Sequence, residues 1–207
     1  MIGIFDYGAG NLRSVENTLD SIGVRYEIVT DEEGLRRASK VILPGVGHFG
    51  QLIHSLDALE VRTAFCELIR EGVPFLGICL GMQALFEKSE EAPDLDGLSI
   101  YPGVVRRFDS TARVPHMGWN ELELEGRPRL LGDVGEHPYV YFAHSYYVPT
   151  EIAGKRTAAL CNYGIDYVAA IEYQNVFGVQ FHPEKSGVLG QKVMRNFLAA
   201  ESLVVKS

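Results

Sequence analysis

Residues 73–83 read Val73-Pro74-Phe75-Leu76-Gly77-Ile78-Cys79-Leu80-Gly81-Met82-Gln83, and the rest of the chain is organised around this stretch. Its apolar first half has the composition of a buried strand. Two glycines bracket Cys79, and apolar residues continuing through Leu85 and Phe86 predict a helix after it. Gly-x-Cys-x-Gly in that setting is a nucleophile elbow, a tight strand-to-helix turn. Glycines two before and two after the central residue leave room for the chain to fold back on itself. The pattern predicts Cys79 at the end of a sheet and at a helix N-terminus, whose partial positive charge favours a thiolate. The bland alternative is a packed, inert thiol. Cys66, between Phe65 and Leu68 in a helical stretch, and Cys161, ending a strand-like run, are read that way; the glycine bracket sets Cys79 apart.

Composition narrows the class. With 207 residues, 46% hydrophobic and 22% charged, the chain can bury a proper core and is read as one domain, 1–207. Three cysteines lack any framework spacing, no apolar run reaches membrane length, and Met1 to Asp6 reads as a strand instead of a signal peptide. The expectation is a cytoplasmic, reduced protein without a membrane partner. A net charge of -8 and the lack of a basic cluster argue against nucleic acid.

Strand and helix alternate in the first half. Ile2 to Phe5 is a strand, Leu12, Val15, Leu19 and Ile22 recur at helical spacing, and Val24 to Val29 is a second strand. Asp31 can cap a short helix. Val41-Ile42-Leu43 is a third strand, broken by Pro44-Gly45-Val46-Gly47-His48-Phe49-Gly50, and helical sequence then runs to Gly72. This alternation implies a mainly parallel sheet flanked by helices. After about residue 90 short strand-like runs take over, at Gly103–Phe108 and Asn120–Leu124, which read as antiparallel, and Tyr139–Ala143 is another apolar strand. Val168–Tyr173 and Val176–Phe181 flank Gln174-Asn175 as a hairpin, and a last helix carrying Leu189, Val193 and Phe197 has Ser186 as its N-cap. The fold class is α/β: a mixed, mainly parallel central sheet flanked by helices, with additional antiparallel strands in the C-terminal half.

A thiol nucleophile needs a base within reach and a group to orient that base. His182-Pro183-Glu184 offers both: on an extended strand, residues two apart share a face. His182 would take the thiol proton and return it to a leaving nitrogen, while Glu184 holds the imidazole tautomer. The oxyanion hole has two backbone candidates, the N–H of Leu80 and one from the loop containing Gly45 and Gly47, with Gly47 assigned. Two other readings compete. Gly45 to Gly50 matches a dinucleotide-binding Gly-x-Gly-x-x-Gly, but after the third strand, with Pro44 in the turn and helical sequence where an acidic strand end is needed. A metal site from Cys79, His182 and Glu184 is conceivable, though no paired ligand spacing supports it, and no metal or cofactor is assigned.

Together these motifs resemble the class I (triad) glutamine amidotransferases, across essentially the whole chain. The Gly-x-Cys-x-Gly-x-Gln elbow and His-Pro-Glu carry the likeness to the family. Asp6 to Leu12, Pro44 to Gly50, Met117-Gly118-Trp119-Asn120 and His182 to Ser186 are similar to its branch of imidazole glycerol phosphate synthase glutaminase subunits. The resemblance implies glutamine hydrolysis through a Cys79 thioester, with ammonia passed to a (βα)8-barrel cyclase subunit in a heterodimer of histidine biosynthesis. That partner would form imidazole glycerol phosphate and aminoimidazole carboxamide ribotide. It further implies Gly47 and Gln83 as glutamine contacts, with backbone groups of Ser145 and Tyr146. Asn11, Trp119 and Lys185 fall at the partner interface, Tyr141 less clearly. A glutaminase that ran unchecked would waste ammonia, so the Pro44–Gly47 peptides are expected to switch when the partner binds. A stand-alone hydrolase of the same architecture, or an idle binding module, are the rival readings.

Overall fold

The computed structural model describes residues 1–8, 12–109 and 113–202. The first half runs β1 (Ile2–Phe5), α1 (Leu12–Ser21), β2 (Tyr26–Val29), α2 (Glu32–Arg37), β3 (Lys40–Gly45), α3 (Phe49–Ala58), α4 (Arg62–Arg70), β4 (Phe75–Cys79) and α5 (Leu80–Gln83). Then come β5 (Phe86–Ser89), β6 (Tyr101–Arg107), β7 (His116–Glu121), β8 (Glu123–Leu124), β9 (Tyr139–His144), β10 (Tyr146–Pro149) and α6 (Thr150–Ala153). The chain closes with β11 (Thr157–Asn162), β12 (Asp166–Tyr173), β13 (Val176–Val179) and α7 (Gly187–Ala199). Among the described residues no helix is long and apolar enough to cross a membrane.

The main sheet follows the order β2-β1-β3-β4-β13-β12-β10-β6-β5, with β11 and β8 attached through β12. Strands β2, β1, β3, β4 and β13 are parallel neighbours, and β12 joins β13 antiparallel as the expected hairpin. Alternation along each strand feeds two cores. Phe5, Leu43 and Phe75 face α3 and α4, where Phe65 stacks edge-on against Phe5 and Phe75 at centroid distances of 5.0 and 6.1 Å. Ile4, Ile42 and Leu76 face the opposite way, against Val15 and Leu19 of α1 and Val193 and Phe197 of α7.

Four local expectations change. β3 does not break at Pro44 but continues to Gly45, with Pro44 opposite Ile78 and Gly45 opposite Cys79. The helix after Cys79 stops at Gln83, and Phe86 opens a strand. The Ala84 and Leu85 carbonyls, which would continue that helix, instead accept from the amides of Leu98 and Tyr101, and this holds β5 beside β6. That pair is parallel, so β6, read from Gly103–Phe108 as antiparallel, is antiparallel only on its other side, to β10. Ser186 sits at the N-cap of α7 without capping it; its hydroxyl donates to the His182 carbonyl at 2.7 Å and accepts from the Tyr141 amide at 3.0 Å. Asp31 does cap α2, accepting from Gly34 N–H at 2.8 Å.

The elbow lies so close to β3 that it admits no side chain. A Cβ on Gly81 would stand 2.0 Å from the Leu43 carbonyl oxygen, and one on Gly77 would stand 2.5 Å from the Gly81 oxygen. Both obstacles are backbone, so the sheet itself would have to move.

β7 and β9 form a separate two-stranded antiparallel sheet whose inner face sets two buried histidines, His116 and His144, beside the core residues Val140 and Phe142. His144 Nδ1 lies 2.8 Å from the Tyr146 carbonyl, which only accepts, so the proton is on Nδ1 and Nε2 accepts from the Tyr167 hydroxyl at 3.2 Å. The Tyr167 oxygen in turn accepts from His116 Nδ1 at 3.1 Å. Burial keeps both rings neutral, His144 down to about 3 and His116 to about 4.

Two outcomes follow. Gly81→Ala should cost upwards of ~3 kcal/mol, lowering the thermal midpoint by about 10 °C or preventing folding. The neutral histidines make the protein acid-sensitive. Their folded pKa values lie below the ordinary 6.5, so as pH drops below 6.5 the unfolded chain gains protons that the folded chain refuses. His182, raised to about 10, contributes stability that is fully present below pH 6.5, and its small further gain on leaving pH 7 offsets only a minor part of this loss. Urea unfolding should show up to about 4 kcal/mol lost between pH 7 and pH 5; a constant midpoint would show that the rings are protonated in the folded state.

Candidate active site

Parallel register brings three chain segments to one sheet edge. Gly45 pairs with Cys79 on one side of β4, and Val179 pairs with Ile78 on the other. The loop after β3, the elbow after β4 and the turn after β13 therefore meet at the C-terminal ends of the strands, where open α/β sheets place their sites.

Cys79 is buried and has φ 54° and ψ −107°, a conformation that costs a non-glycine residue about 1–3 kcal/mol. The strand pairing before it and the glycine packing around it enforce that geometry. The expected helix dipole behind Cys79 is weak, because α5 is only four residues long and few peptide dipoles align. Polar side chains stand in its place.

His182 and Glu184 come together, though not on a strand. Residues Pro183–Lys185 form a 3-10 turn, with Pro183 at its first position and the Lys185 amide donating to the His182 carbonyl at 3.0 Å. β13 ends at Val179, and the His182 amide is tied to the Tyr141 carbonyl at 2.9 Å. The turn sets His182 Nδ1 2.8 Å from Glu184 Oε1, with each side chain 3% exposed. Nδ1 is thus occupied, and Nε2 is the nitrogen left for Cys79. Burial opposes charge on His182, but hydrogen bonding and attraction to Cys79, then to Glu184, outweigh it and lift the pKa to about 10. Cys66 and Cys161 behave as packed thiols: burial raises both, Cys161 to about 11.

Gln83 is buried, not an exposed helix residue. Its Nε2 donates to the Tyr146 carbonyl at 2.9 Å and to Gln180 Oε1 at 3.0 Å. Gln180, fully buried, then donates from Nε2 to Cys79 Sγ at 3.5 Å. In the loop after β3, Gly47 has φ +96°, open to glycine and strained for other residues. The preceding residue is pinned from both sides: the Tyr7 hydroxyl donates to the Val46 carbonyl and accepts from the Val46 amide, each at 3.1 Å.

A cavity of about 260 Å³ opens onto Cys79, small enough for an amino-acid-sized ligand. Gly47, Leu80, Gln83, Ser145, Tyr146 and His182 all line it, as does Glu91. Glu91 accepts from the Phe49 amide through Oε2 at 2.7 Å, which fixes its carboxylate at the rim. Gln180, Glu91 and Tyr7 are polar members of the site that sequence reasoning did not single out. Gln180 stood two residues before His182 and had a positional signal; Glu91, in a loop, and Tyr7, after a strand, had none.

Beside the cavity the outer face of β7–β9 exposes Met117 at 65% and Trp119 at 55%. Trp119 meets Tyr141 edge-on at 6.1 Å, and the Lys185 ammonium stands over the Tyr141 ring at 5.6 Å. Three of the residues assigned to an interface thus form one patch, and Lys185 also lines the cavity. Asn11 lies outside the described residues.

Comparison with known proteins gives the family and the fold. The profile of the class-I glutamine amidotransferase family matches residues 3–200. Imidazole glycerol phosphate synthase subunit HisH of Bacillus cereus (strain ATCC 10987 / NRS 248) is 45% identical over 199 residues, 95% of this chain and 93% of that one. The same subunit of Bacillus thuringiensis (strain Al Hakam) is also 45% identical over 95% of this chain and 93% of its own. A solved glutamine amidotransferase superposes with a TM-score of 0.75 at 20% identity, covering 95% of this chain and 96% of that one. PurLQS from Thermotoga maritima gives 0.72 at 21%, with coverage of 95% and 96%; at these identities the likeness is one of fold. The chain belongs to the class-I glutamine amidotransferase family, in the branch of the imidazole glycerol phosphate synthase HisH subunits.

Proposed function

We propose that this chain, as a single domain over residues 1–207, hydrolyses glutamine on Cys79 and hands the ammonia to a synthase partner. The observation that carries the reading is that Cys79 and His182 line one small cavity, with Glu184 behind His182 and 2.8 Å from its Nδ1. The Cys79 sulfur attacks the glutamine carboxamide carbon, its proton held by His182 and the resulting imidazolium stabilised by Glu184. Collapse of the tetrahedral intermediate breaks the C–N bond. His182 protonates the leaving nitrogen, and ammonia departs from a glutamyl thioester. Water then attacks that thioester with His182 as base, and glutamate leaves Cys79.

The intermediate's oxyanion is met by the N–H groups of Leu80 and Gly47. The Val46 amide is spent on Tyr7, which leaves Gly47 as the loop's donor. Gln83, whose amide nitrogen is committed to Tyr146 and Gln180, turns its carbonyl oxygen to substrate, with backbone groups of Ser145 and Tyr146 and the Glu91 carboxylate receiving the amino-acid end. The patch of Trp119, Tyr141 and Lys185 faces the partner, a (βα)8-barrel cyclase forming a heterodimer in the cytoplasm, and Asn11 is assigned to the same interface by the family resemblance alone. Ammonia reaches the cyclase without entering solvent. A stand-alone hydrolase would have no use for so exposed an aromatic patch.

Cys79→Ala should keep the fold, since alanine fits the elbow, and reduce glutamate release to trace levels, beyond about 10^4-fold; substantial residual release would remove Cys79 from the chemistry. The Pro44–Gly47 switch has a sharper test. Turning the Val46–Gly47 peptide on partner binding must break the Tyr7 bond to the Val46 carbonyl, so Tyr7→Phe should reduce severalfold the ratio of glutaminase turnover with the cyclase and its nucleotide ligand to turnover alone. An unchanged ratio would show that the loop does not move.

A further inference from the structure

We propose that Gln180 is a working part of the nucleophile: its carboxamide N–H is held on the Cys79 sulfur, where it stabilises the thiolate. The proposal rests on the reading of Cys79 as nucleophile and adds a member to that machinery.

The first observation is location. Gln180 is 0% exposed between Val179 and Phe181, both themselves in the core. A carboxamide there needs every hydrogen bond it can make, and an apolar side chain would fill the site at no polar cost. Its backbone is equally fixed, the amide donating to the Ala169 carbonyl at 2.8 Å.

The second is orientation, which the network leaves no freedom to reverse. The Tyr146 carbonyl can only accept, so Gln83 must present its NH2 group there, at 2.9 Å. The same NH2 group donates to Gln180 at 3.0 Å, so Gln180 receives through Oε1 and its own NH2 group faces Cys79 Sγ at 3.5 Å. One backbone carbonyl therefore dictates, through two side chains, that a donor and not an acceptor meets the sulfur. Donation to the charged form of a group favours that form.

The third is need. The four-residue α5 offers little dipole to an anionic sulfur, and Cys79 is buried. The titratable groups around it are His182 and Glu184 from the turn after β13, Tyr7 from the end of β1, Tyr167 from β12, His144 from β9, kept neutral by burial, and Glu91 and Lys185 across the cavity. Only His182 donates to the sulfur among these in the described contacts, and it must give up its proton during the reaction. Gln180 keeps its own throughout: it supports the thiolate as attacking group and again as leaving group when water cleaves the thioester.

The experiment is alkylation of the full-length chain by iodoacetamide between pH 5 and 10, with each cysteine followed by peptide mass spectrometry. Gln180→Leu removes the donor. Gln180→Glu keeps the shape, replaces the donor with an acceptor, and answers the same question if the leucine variant does not fold. In wild type, Cys79 should react at lower pH than Cys66 and Cys161. In Gln180→Leu its half-reaction pH should rise by about one unit, a tenfold loss of thiolate, and further in Gln180→Glu. Glutamate release should fall at least about tenfold in kcat. A residue that merely supported Gln83 would alter KM for glutamine and leave the alkylation midpoint in place, and that result overturns the proposal. Wild-type Cys79 reacting no earlier than Cys66 would instead overturn the nucleophile assignment, and this one with it.

Discussion

The site depends on how tightly the turn after Cys79 lies against β3. With the Leu43 carbonyl 2.0 Å from where a Gly81 Cβ would be, the elbow is packed backbone on backbone, and Cys79 has no alternative to its strained φ of 54°. Strain of this size persists only where the surroundings over-determine it. Here they do so from both sides, because β4 is hydrogen-bonded in parallel to β3 and to β13. The same two pairings deliver the glycine loop and the His182 turn to the sulfur, so one register sets the strain and the site together.

Electrostatics within this small volume run in opposite directions for chemically identical side chains. His144 and His116 are buried without a carboxylate partner and stay neutral, joined through the Tyr167 hydroxyl. His182 is buried just as deeply, yet Cys79 and Glu184 draw it to the charged form. Desolvation acts on all three; only the partners differ, and the partners decide the sign. The two regimes meet at the Tyr146 carbonyl, which accepts from His144 on one side and from Gln83 on the other. That carbonyl orients the neutral histidine, the Gln83–Gln180 pair and, through it, the donor facing Cys79.

The two-stranded β7–β9 sheet does a different task. Its inner face carries His116 and His144, while its outer face exposes Met117 and Trp119 beside Tyr141 and Lys185. An apolar, aromatic patch with a cation at its edge is poor solvent-facing surface and good interface material. Because Lys185 also borders the cavity and follows Glu184 directly, whatever covers the patch touches the turn that holds His182. On the proposed reading, this puts one edge of the docking surface, Lys185, on the same turn as Glu184, directly after the base His182.

Much of this was legible in the chain. The Gly-x-Cys-x-Gly bracket specified an elbow because glycines at those spacings answer a steric requirement that is local, and the alternation of strand and helix specified a parallel sheet because hydrophobic period is local too. Asp31, Gly72 and the hairpin at Gln174-Asn175 stood where caps and turns require them. The sequence also paired His182 with Glu184, though for a strand that is not there: Pro183 sets a 3-10 turn instead, and the spacing of two serves both geometries. What sequence could not reveal were features settled by partners far along the chain. The helix after Cys79 ends early because Leu98 and Tyr101 capture its carbonyls, Ser186 abandons its cap for Tyr141, and Gln180 meets a sulfur 101 residues away. Local chemistry determined which groups the protein has for its reaction; the tertiary structure decided which way each one points, because only long-range hydrogen bonds choose between a donor and an acceptor.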